Sequence, residues 1–155
     1  MIPAEVRIRP MTSSDLTRVL AIAENLDSAP QWPVTAYQEA LDPHAVVRRI
    51  AIVAEDTASA QIVGFAVASL VADQAELEII AVAAKEQRRG IARKLFFALA
   101  EALRGAKATE LILEVRASNH PALALYRALG FEQIGLRTSY YHDPVEDAVL
   151  MRLPL

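Results

Sequence analysis

Gln87-Arg88-Arg89-Gly90-Ile91-Ala92 decides the fold, because it stands where an alternating run gives way to an amphipathic one. Upstream, Ala75 to Val82 sets Glu76, Glu78 and Ile80 against Leu77, Ile79 and Ala81, the period of a strand. Downstream, Ile91, Leu95, Leu99 and Ala102 recur on one helical face, with Gly105 as the expected stop. The first amides of a helix lack internal partners and carry the positive end of its dipole, so such a junction can hold a phosphate. Gly90 lets backbone approach an anion, and Ala92 is nearly as small. Lys85, Arg88, Arg89, Arg93 and Lys94 face only Glu86 in this segment, although the whole chain carries a net charge of −3. A Walker loop would end in Gly-Lys-Ser/Thr and a dinucleotide turn would carry three spaced glycines; neither is present.

Outward from this junction the remaining elements follow. Val6-Arg7-Ile8-Arg9 alternates as a short strand stopped by Pro10, and Thr12-Ser13-Ser14-Asp15 offers caps to a helix whose face is Leu16, Val19, Leu20, Ala23 and Leu26. Pro30 and Pro33 bracket Trp32 before a short helix over 34–41. Runs rich in β-branched residues, 46–55 and 61–71, flank a turn at 56–59, and 109–116 reads as a further strand. Asn119-His120-Pro121 starts a helix with Asn as cap and Pro in the first turn; Gly130 ends it. Segments 131–140 and 145–153 form a closing hairpin. This order predicts an α/β (α+β) chain with a mixed, mostly antiparallel seven-stranded sheet and helices on both faces. No repeat, low-complexity tract or linker interrupts it, so residues 1–155 read as one domain.

Composition excludes several chemistries. The chain has 155 residues, 54% of them hydrophobic, and no cysteine, which removes disulfide frameworks, thiolate metal sites and a cysteine acyl-enzyme. His44, His120 and His142 are isolated, so no metal site is expected, and no Gly-x-Ser-x-Gly elbow is present. With 16 basic against 19 acidic side chains, nucleic-acid binding is not expected. Met1-Ile2-Pro3-Ala4-Glu5 lacks a basic segment followed by an apolar one, and Ile62 to Ala72 is far shorter than the ~18 residues that span a bilayer. No membrane association and a cytoplasmic location are therefore expected.

In this setting Gln87-x-x-Gly90-x-Ala92 resembles the acyl-coenzyme A loop of the GNAT superfamily of N-acetyltransferases, whose pattern is Gln/Arg-x-x-Gly-x-Gly/Ala. Leu113-Glu114-Val115-Arg116-Ala117-Ser118-Asn119 and Ala124-Leu125-Tyr126-Arg127-Ala128-Leu129-Gly130-Phe131 resemble the RimI group, the ribosomal-protein alanine N-acetyltransferases. Tyr140-Tyr141 and Glu146-Asp147-Ala148 are similar to that group's closing hairpin. The GNAT likeness covers nearly the whole chain, and its RimI-like part runs from Ala81 to Leu153. It implies the GNAT fold, with acetyl-coenzyme A held between two splaying strands by Ile80, Ala81, Val82, Gln87, Arg88, Arg89, Gly90, Ile91, Ala92, Asn119 and Tyr126. Direct attack by an amine in a ternary complex is the implied reaction. The implied acceptor is the N-terminal α-amine of a protein, first an alanine of a small-subunit ribosomal protein, taken up by a monomer or weak dimer. Lysine or small-molecule amines, and a catalytically silent coenzyme A-binding module, stand as alternatives.

Acetyl transfer needs a neutral amine, a stabilised oxyanion and a proton for the departing thiolate. An α-amine of pKa ~8 is about a tenth neutral at pH 7, whereas a lysine near 10.4 is neutral to about one part in a few thousand, so a modest base serves the former. Glu114 lies in a strand among apolar neighbours, where an ionised carboxylate is costly unless given a task. The resemblance assigns it the role of base; spacing alone equally allows an ion pair with Arg116. Glu76 and Glu78 are rivals, and with either as base Glu114 would position the amine. Tyr126 returns to nearly the helix face of Asn119 about 10 Å further along. The resemblance makes Tyr126 the acid and has Asn119 contact coenzyme A; the alternative is that Tyr126 packs with Leu123 and Leu129. A phenol near pKa 10 protonating a thiolate near 8.5 is uphill by only about 2 kcal/mol. The Val82 amide, freed by a strand irregularity, is the implied oxyanion donor. Trp32, Tyr140 and Tyr141 are expected with Glu76 and Glu78 on the acceptor side. The loop Tyr141 to Glu146 is shorter than the glycine-containing loop usual in RimI proteins.

Overall fold

A computed structural model describes residues 5–155; residues 1–4, on which the expectation of no leader mostly falls, lie outside the described residues. The elements are β1 (Val6–Pro10), α1 (Leu16–Glu24, after a 3-10 turn at Ser13–Asp15), α2 (Val34–Leu41), β2 (Arg48–Asp56), β3 (Ile62–Val71) and β4 (Gln74–Val82). They continue with α3 (Ile91–Gly105), β5 (Glu110–Arg116), α4 (His120–Ala128), β6 (Glu132–Tyr141) and β7 (Glu146–Pro154). The seven strands form one sheet in the order β1-β2-β3-β4-β5-β7-β6, antiparallel throughout except between β4 and β5. No helix among the described residues is long and apolar enough to cross a membrane.

Both faces are covered, as the strand and helix order implies. On one, Val19, Ile22 and Tyr37 of α1 and α2 meet Val53, Phe65, Val67, Ile79 and Ala81. On the other, Leu95, Leu99 and Leu103 of α3 and Leu123 of α4 meet Ala66, Leu77, Leu111, Leu113 and Met151. The stripe expected for α1 is buried at Leu16, Val19 and Ala23; Leu26 lies past the helix end, and Ile22 completes the face. The start of α1 is tied to β1 by Arg9, whose two terminal nitrogens donate to the Asp15 carboxylate at 2.9 Å each. Thr12 N–H donates to the same carboxylate at 2.8 Å. These bonds, Arg9's first, hold the buried Asp15 carboxyl below the usual range.

Two helix ends show where sequence signals differ in strength. At α4, Gly130 adopts φ +102°; its N–H donates to the Arg127 carbonyl, and the Phe131 N–H donates to that of Tyr126. This double closure sets the buried Phe131 ring 5.5 Å from the Tyr126 ring, the apolar contact that accompanies such a cap. At α3 the expected stop is displaced. Gly105 remains inside the last turn, and the left-handed position falls on Lys107, at φ +72°. Lys107 N–H donates to Arg104 and Ala108 N–H to Leu103, so the same cap forms around a residue with a Cβ.

A bulge in β4 re-aims the strand. Ala68 pairs with Leu77 but Val67 with Ile79, leaving Glu78 without a ladder partner. Before the bulge, Ala75 and Leu77 point to the α3/α4 core; after it, Ile79 and Ala81 point to the α1/α2 core and Val82 to the α3/α4 core. Glu76 and Glu78 thus share a face, as their alternation predicts, but Ile80 moves to the other.

Replacing Lys107 by glycine relieves the left-handed strain and is expected to raise unfolding free energy by about 0.5–1 kcal/mol. Gly130→Ala should lower it by about 1–2 kcal/mol, since it introduces that strain. Urea unfolding of both variants beside the parent chain measures the two signs.

Candidate active site

The parallel pair β4 and β5 is joined only at Gln74↔Glu110, Ala75↔Leu111 and Glu76↔Ile112. Beyond Glu76 the strands part, while β5 continues beside β7 to Arg116↔Ala148. The Ala83 N–H donates to the Val63 carbonyl at 2.8 Å, which makes the neighbouring couple Gly64 and Val82 a non-hydrogen-bonded pair. The N–H and C=O of Val82 consequently point away from β3, into the space between the parted strands. Two residues earlier Ile80 has the same orientation, whereas the polar backbone of Ala81 faces β3. The gap is therefore lined by an open strand edge, a ready partner for an extended amide-bearing chain.

The basic loop closes one end of this gap. Gln87 Nε2 donates to the Val82 carbonyl at 3.1 Å, so the first residue of the motif takes up an acceptor that the strand separation leaves without a β5 partner. Gly90, at φ +78°, is the N-cap of α3, and the first helical bond runs from Lys94 N–H to the Gly90 carbonyl. The amides of Ile91, Ala92 and Arg93 thus have no acceptor within the helix. Arg89 does not face outward with Arg88; its guanidinium pairs with Glu86 and lies 3.9 Å from Asp56, at the end of β2. Across the gap, Asn119 Oδ1 accepts from Ala122 N–H at 3.3 Å and caps α4. Tyr126 packs against the α3/α4 core, and burial pushes its phenol up to about 12.

Glu114 alternates with the buried Leu113 and Val115, so it projects from the face opposite Tyr126, the one that also carries Glu76 and Glu78. The three carboxylates have different surroundings. Glu78 accepts from Arg49 Nε at 2.7 Å and from Nη2 at 3.4 Å, in a cleft of about 170 Å³ lined also by Trp32, Ala36 and Glu39. Glu114 lies 3.2 Å from Arg137 Nε, and hydrogen bonding to it, ahead of its charge, raises the Tyr140 phenol. Glu76 has its carboxyl raised, first by burial and then by the charges of Glu114 and Glu78. Arg116, the partner that spacing allows for Glu114, is turned elsewhere. It lies 3.6 Å from Glu146 and covers the Tyr141 ring at 4.3 Å. Glu146 also accepts from Ser118 N–H and Oγ at 2.8 and 3.0 Å, which lowers its carboxyl and ties the turn before α4 to β7.

Trp32 is half-buried, its ring 5.1 Å from that of Tyr37. Its loop is held by Gln31, whose Nε2 donates to the carbonyls of Ala23, Ala29 and Leu26 at 2.7, 3.1 and 3.3 Å. Gln31, Arg49 and Arg137 were not singled out by sequence. Arg49 and Arg137 neighbour Glu78 and Glu114 only through strand pairing, 29 and 23 positions away in the chain, so no local spacing announces them. Among the described residues no group of three His, Asp or Glu side chains could hold a metal ion.

The chain is similar to known proteins in sequence and in fold. The pattern of the acetyltransferase (GNAT) family matches residues 16–131. The chain is 42% identical over 101 residues to the [ribosomal protein bS18]-alanine N-acetyltransferase of Escherichia coli strain K12, covering 64% of this chain and 68% of that one. It is 30% identical over 145 residues to a Bacillus subtilis strain 168 protein provisionally given the same name, covering 93% and 92%. The crystal structure of the ribosomal-protein-S18-alanine N-acetyltransferase from Escherichia coli is similar with a TM-score of 0.84 at 32% identity, over 97% of this chain and 94% of that one.

The Gln87 bond gives a test of how the loop is attached to β4. Gln87→Ala is expected to cost about 1 kcal/mol of stability by leaving the Val82 carbonyl without its donor. Gln87→Glu should cost more at pH 8, because a carboxylate there would face a carbonyl oxygen. Urea unfolding orders the three proteins.

Proposed function

Because the chain belongs to the acetyltransferase (GNAT) family and is an acetyl-coenzyme A-dependent N-acetyltransferase, we propose that its acceptor is the N-terminal α-amine of a protein, the alanine terminus of a small-subunit ribosomal protein being the specific target. The observation that carries this reading is the position of Glu114 on β5, two residues past Ile112, the last residue of β5 that pairs with β4. The named activity of the 42% identical relative supports the choice of acceptor.

Acetyl-coenzyme A supplies the acetyl group as a thioester, and the residues present fit it. The unpaired amides after Gly90 suit a diphosphate, and the edge of β4 at Ile80 and Val82 suits the amides of a pantetheine arm. Val82 N–H donates where negative charge develops on the acetyl oxygen, and its value there comes from being fixed beforehand. Asn119 holds the start of α4 toward the same arm. Glu114 takes the acceptor amine, with Glu76 as the second carboxylate of that site; Glu78, in its two-bonded pair with Arg49, orders the cleft that Trp32 walls. An α-amine is already about a tenth neutral at pH 7, so Glu114 has only a modest task.

Tyr126 returns a proton to the departing sulfur. Its phenol, at about 12, keeps that proton throughout the physiological range. Against a free thiol near 8.5 the transfer is uphill by about 5 kcal/mol rather than the ~2 of an unperturbed phenol, but the burial that raises Tyr126 also raises a thiol beside it and narrows the gap. The acid and the base stand on opposite faces of the sheet, and the parting of β4 from β5 is what lets them act on one thioester.

Glu114→Gln and Tyr126→Phe are each expected to lower kcat by about 10²-fold or more, the usual loss of a positioned proton donor or acceptor. Coenzyme A affinity should fall less than kcat in both. Full activity in either variant removes that residue from the mechanism. The acceptor is tested by intact-mass spectrometry of small-subunit ribosomal proteins incubated with this protein and labelled acetyl-coenzyme A. Label on a terminal alanine, lost when the α-amine is blocked, is the expected result; label on lysine side chains overturns the choice of acceptor.

A further inference from the structure

We propose that Arg137 is a place-holding cation: in the resting protein its guanidinium occupies the position on Glu114 that the acceptor's terminal ammonium takes, and the acceptor enters by exchanging one cation for the other. The inference rests on Glu114 being the residue that receives an α-amine.

The geometry is unequal on the two sides of the pair. The Glu114 side chain is 17% exposed and that of Arg137 is 55% exposed, so the carboxylate is fixed and the cation removable. Arg137↔Ala148 is the last regular couple of β6 before residues 138–140 leave the ladder, and β6 is the outer strand of the sheet. The guanidinium can therefore swing outward without opening either core. An ion pair this exposed adds little stability, so holding the fold together is a poor account of it. Leaving Glu114 unpaired beside Glu76 would be costly, which gives the cation its reason. The Tyr140 ring, 5.4 Å from the guanidinium, is a surface on which either cation can rest.

Charge balance narrows what can replace Arg137. Glu76 and Glu78 approach from β4, and Arg49 of β2 already balances Glu78. Arg116, on β5 itself, is engaged by Glu146 and the Tyr141 ring. Tyr140 and Tyr141 of β6 contribute phenols held protonated by the same carboxylates and by burial. With Arg137 swung out, Glu76 and Glu114 have no cation between them, and one ammonium restores the balance. Glu76 registers the exchange directly, since Arg137 is the one cation among the described residues that pulls its raised carboxyl back down. A neutral or anionic terminus has no such exchange to make.

The test uses the full chain and its Arg137→Gln and Arg137→Lys variants. Alaninamide is titrated against each at pH 7 by NMR, with the Glu76 side-chain carboxyl followed by carbon-13 detection over pH. R137Q should bind alaninamide up to about fivefold more tightly, the range an exposed pair allows, while R137K stays near the parent. The Glu76 midpoint should rise in R137Q and fall again when alaninamide is added. With an alanine-initiated peptide and saturating acetyl-coenzyme A, the effect of R137Q should fall on KM, lowering it, and not on kcat. Equal or weaker alaninamide binding by R137Q, or a Glu76 midpoint that ignores the substitution, overturns the proposal. A parent protein that acetylates no α-amine defeats the proposed acceptor instead, and the alaninamide titration still decides the exchange.

Discussion

The separation of β4 from β5 is the constraint on which the site depends. Parallel strands normally share slanted hydrogen bonds along their whole overlap, yet here the ladder stops after three couples. Backbone polar groups withdrawn from a ladder must find other partners. Gln87 supplies one, at the Val82 carbonyl, and the motif loop is thereby pinned to the strand it follows. The Val82 and Ile80 amides remain directed into the opening. Binding capacity and structural incompleteness are thus the same feature: the sheet is left unfinished where a ligand backbone would finish it.

Three glutamates meet on one face of the sheet, and their coexistence is an electrostatic problem solved unevenly. Glu78 is neutralised by a guanidinium from β2, with two bonds and partial burial. Glu114 is covered from the rim, and Glu76 bears the remaining strain as a raised carboxyl. The β4 bulge is essential to this gradation, because it places Glu78 and Ile79 on one side in succession and so keeps a carboxylate beside the Trp32 cleft while still sealing the core.

Most of the architecture was legible in the chain. Period-two and period-three-to-four patterns located all seven strands and four helices, and Val34–Leu41 matches its predicted bounds because prolines and a change of pattern delimit it sharply. Gly130 was readable as a stop since its conformation demands glycine; Lys107 was not, because a left-handed lysine carries no compositional mark. The basic loop before α3 was visible as charge and small residues in sequence order. The partners of the carboxylates were not, since Arg49 and Arg137 reach them through strand order. The face occupied by Ile80 depended on a bulge, and one inserted residue leaves no trace in a hydrophobicity pattern.

Gln31 gathers three carbonyls where α1 ends, and in doing so it does the work of a short element of secondary structure with one carboxamide. The path of the segment over 27–33 is consequently set by Gln31 and the flanking prolines, independently of which side chains the segment displays. Asp27 and Ser28, both exposed, are in that sense interchangeable fittings on a fixed bracket, whereas Trp32 is part of it through its contact with Tyr37. Side chains carried on that segment can therefore change with no new entropic burden of loop ordering.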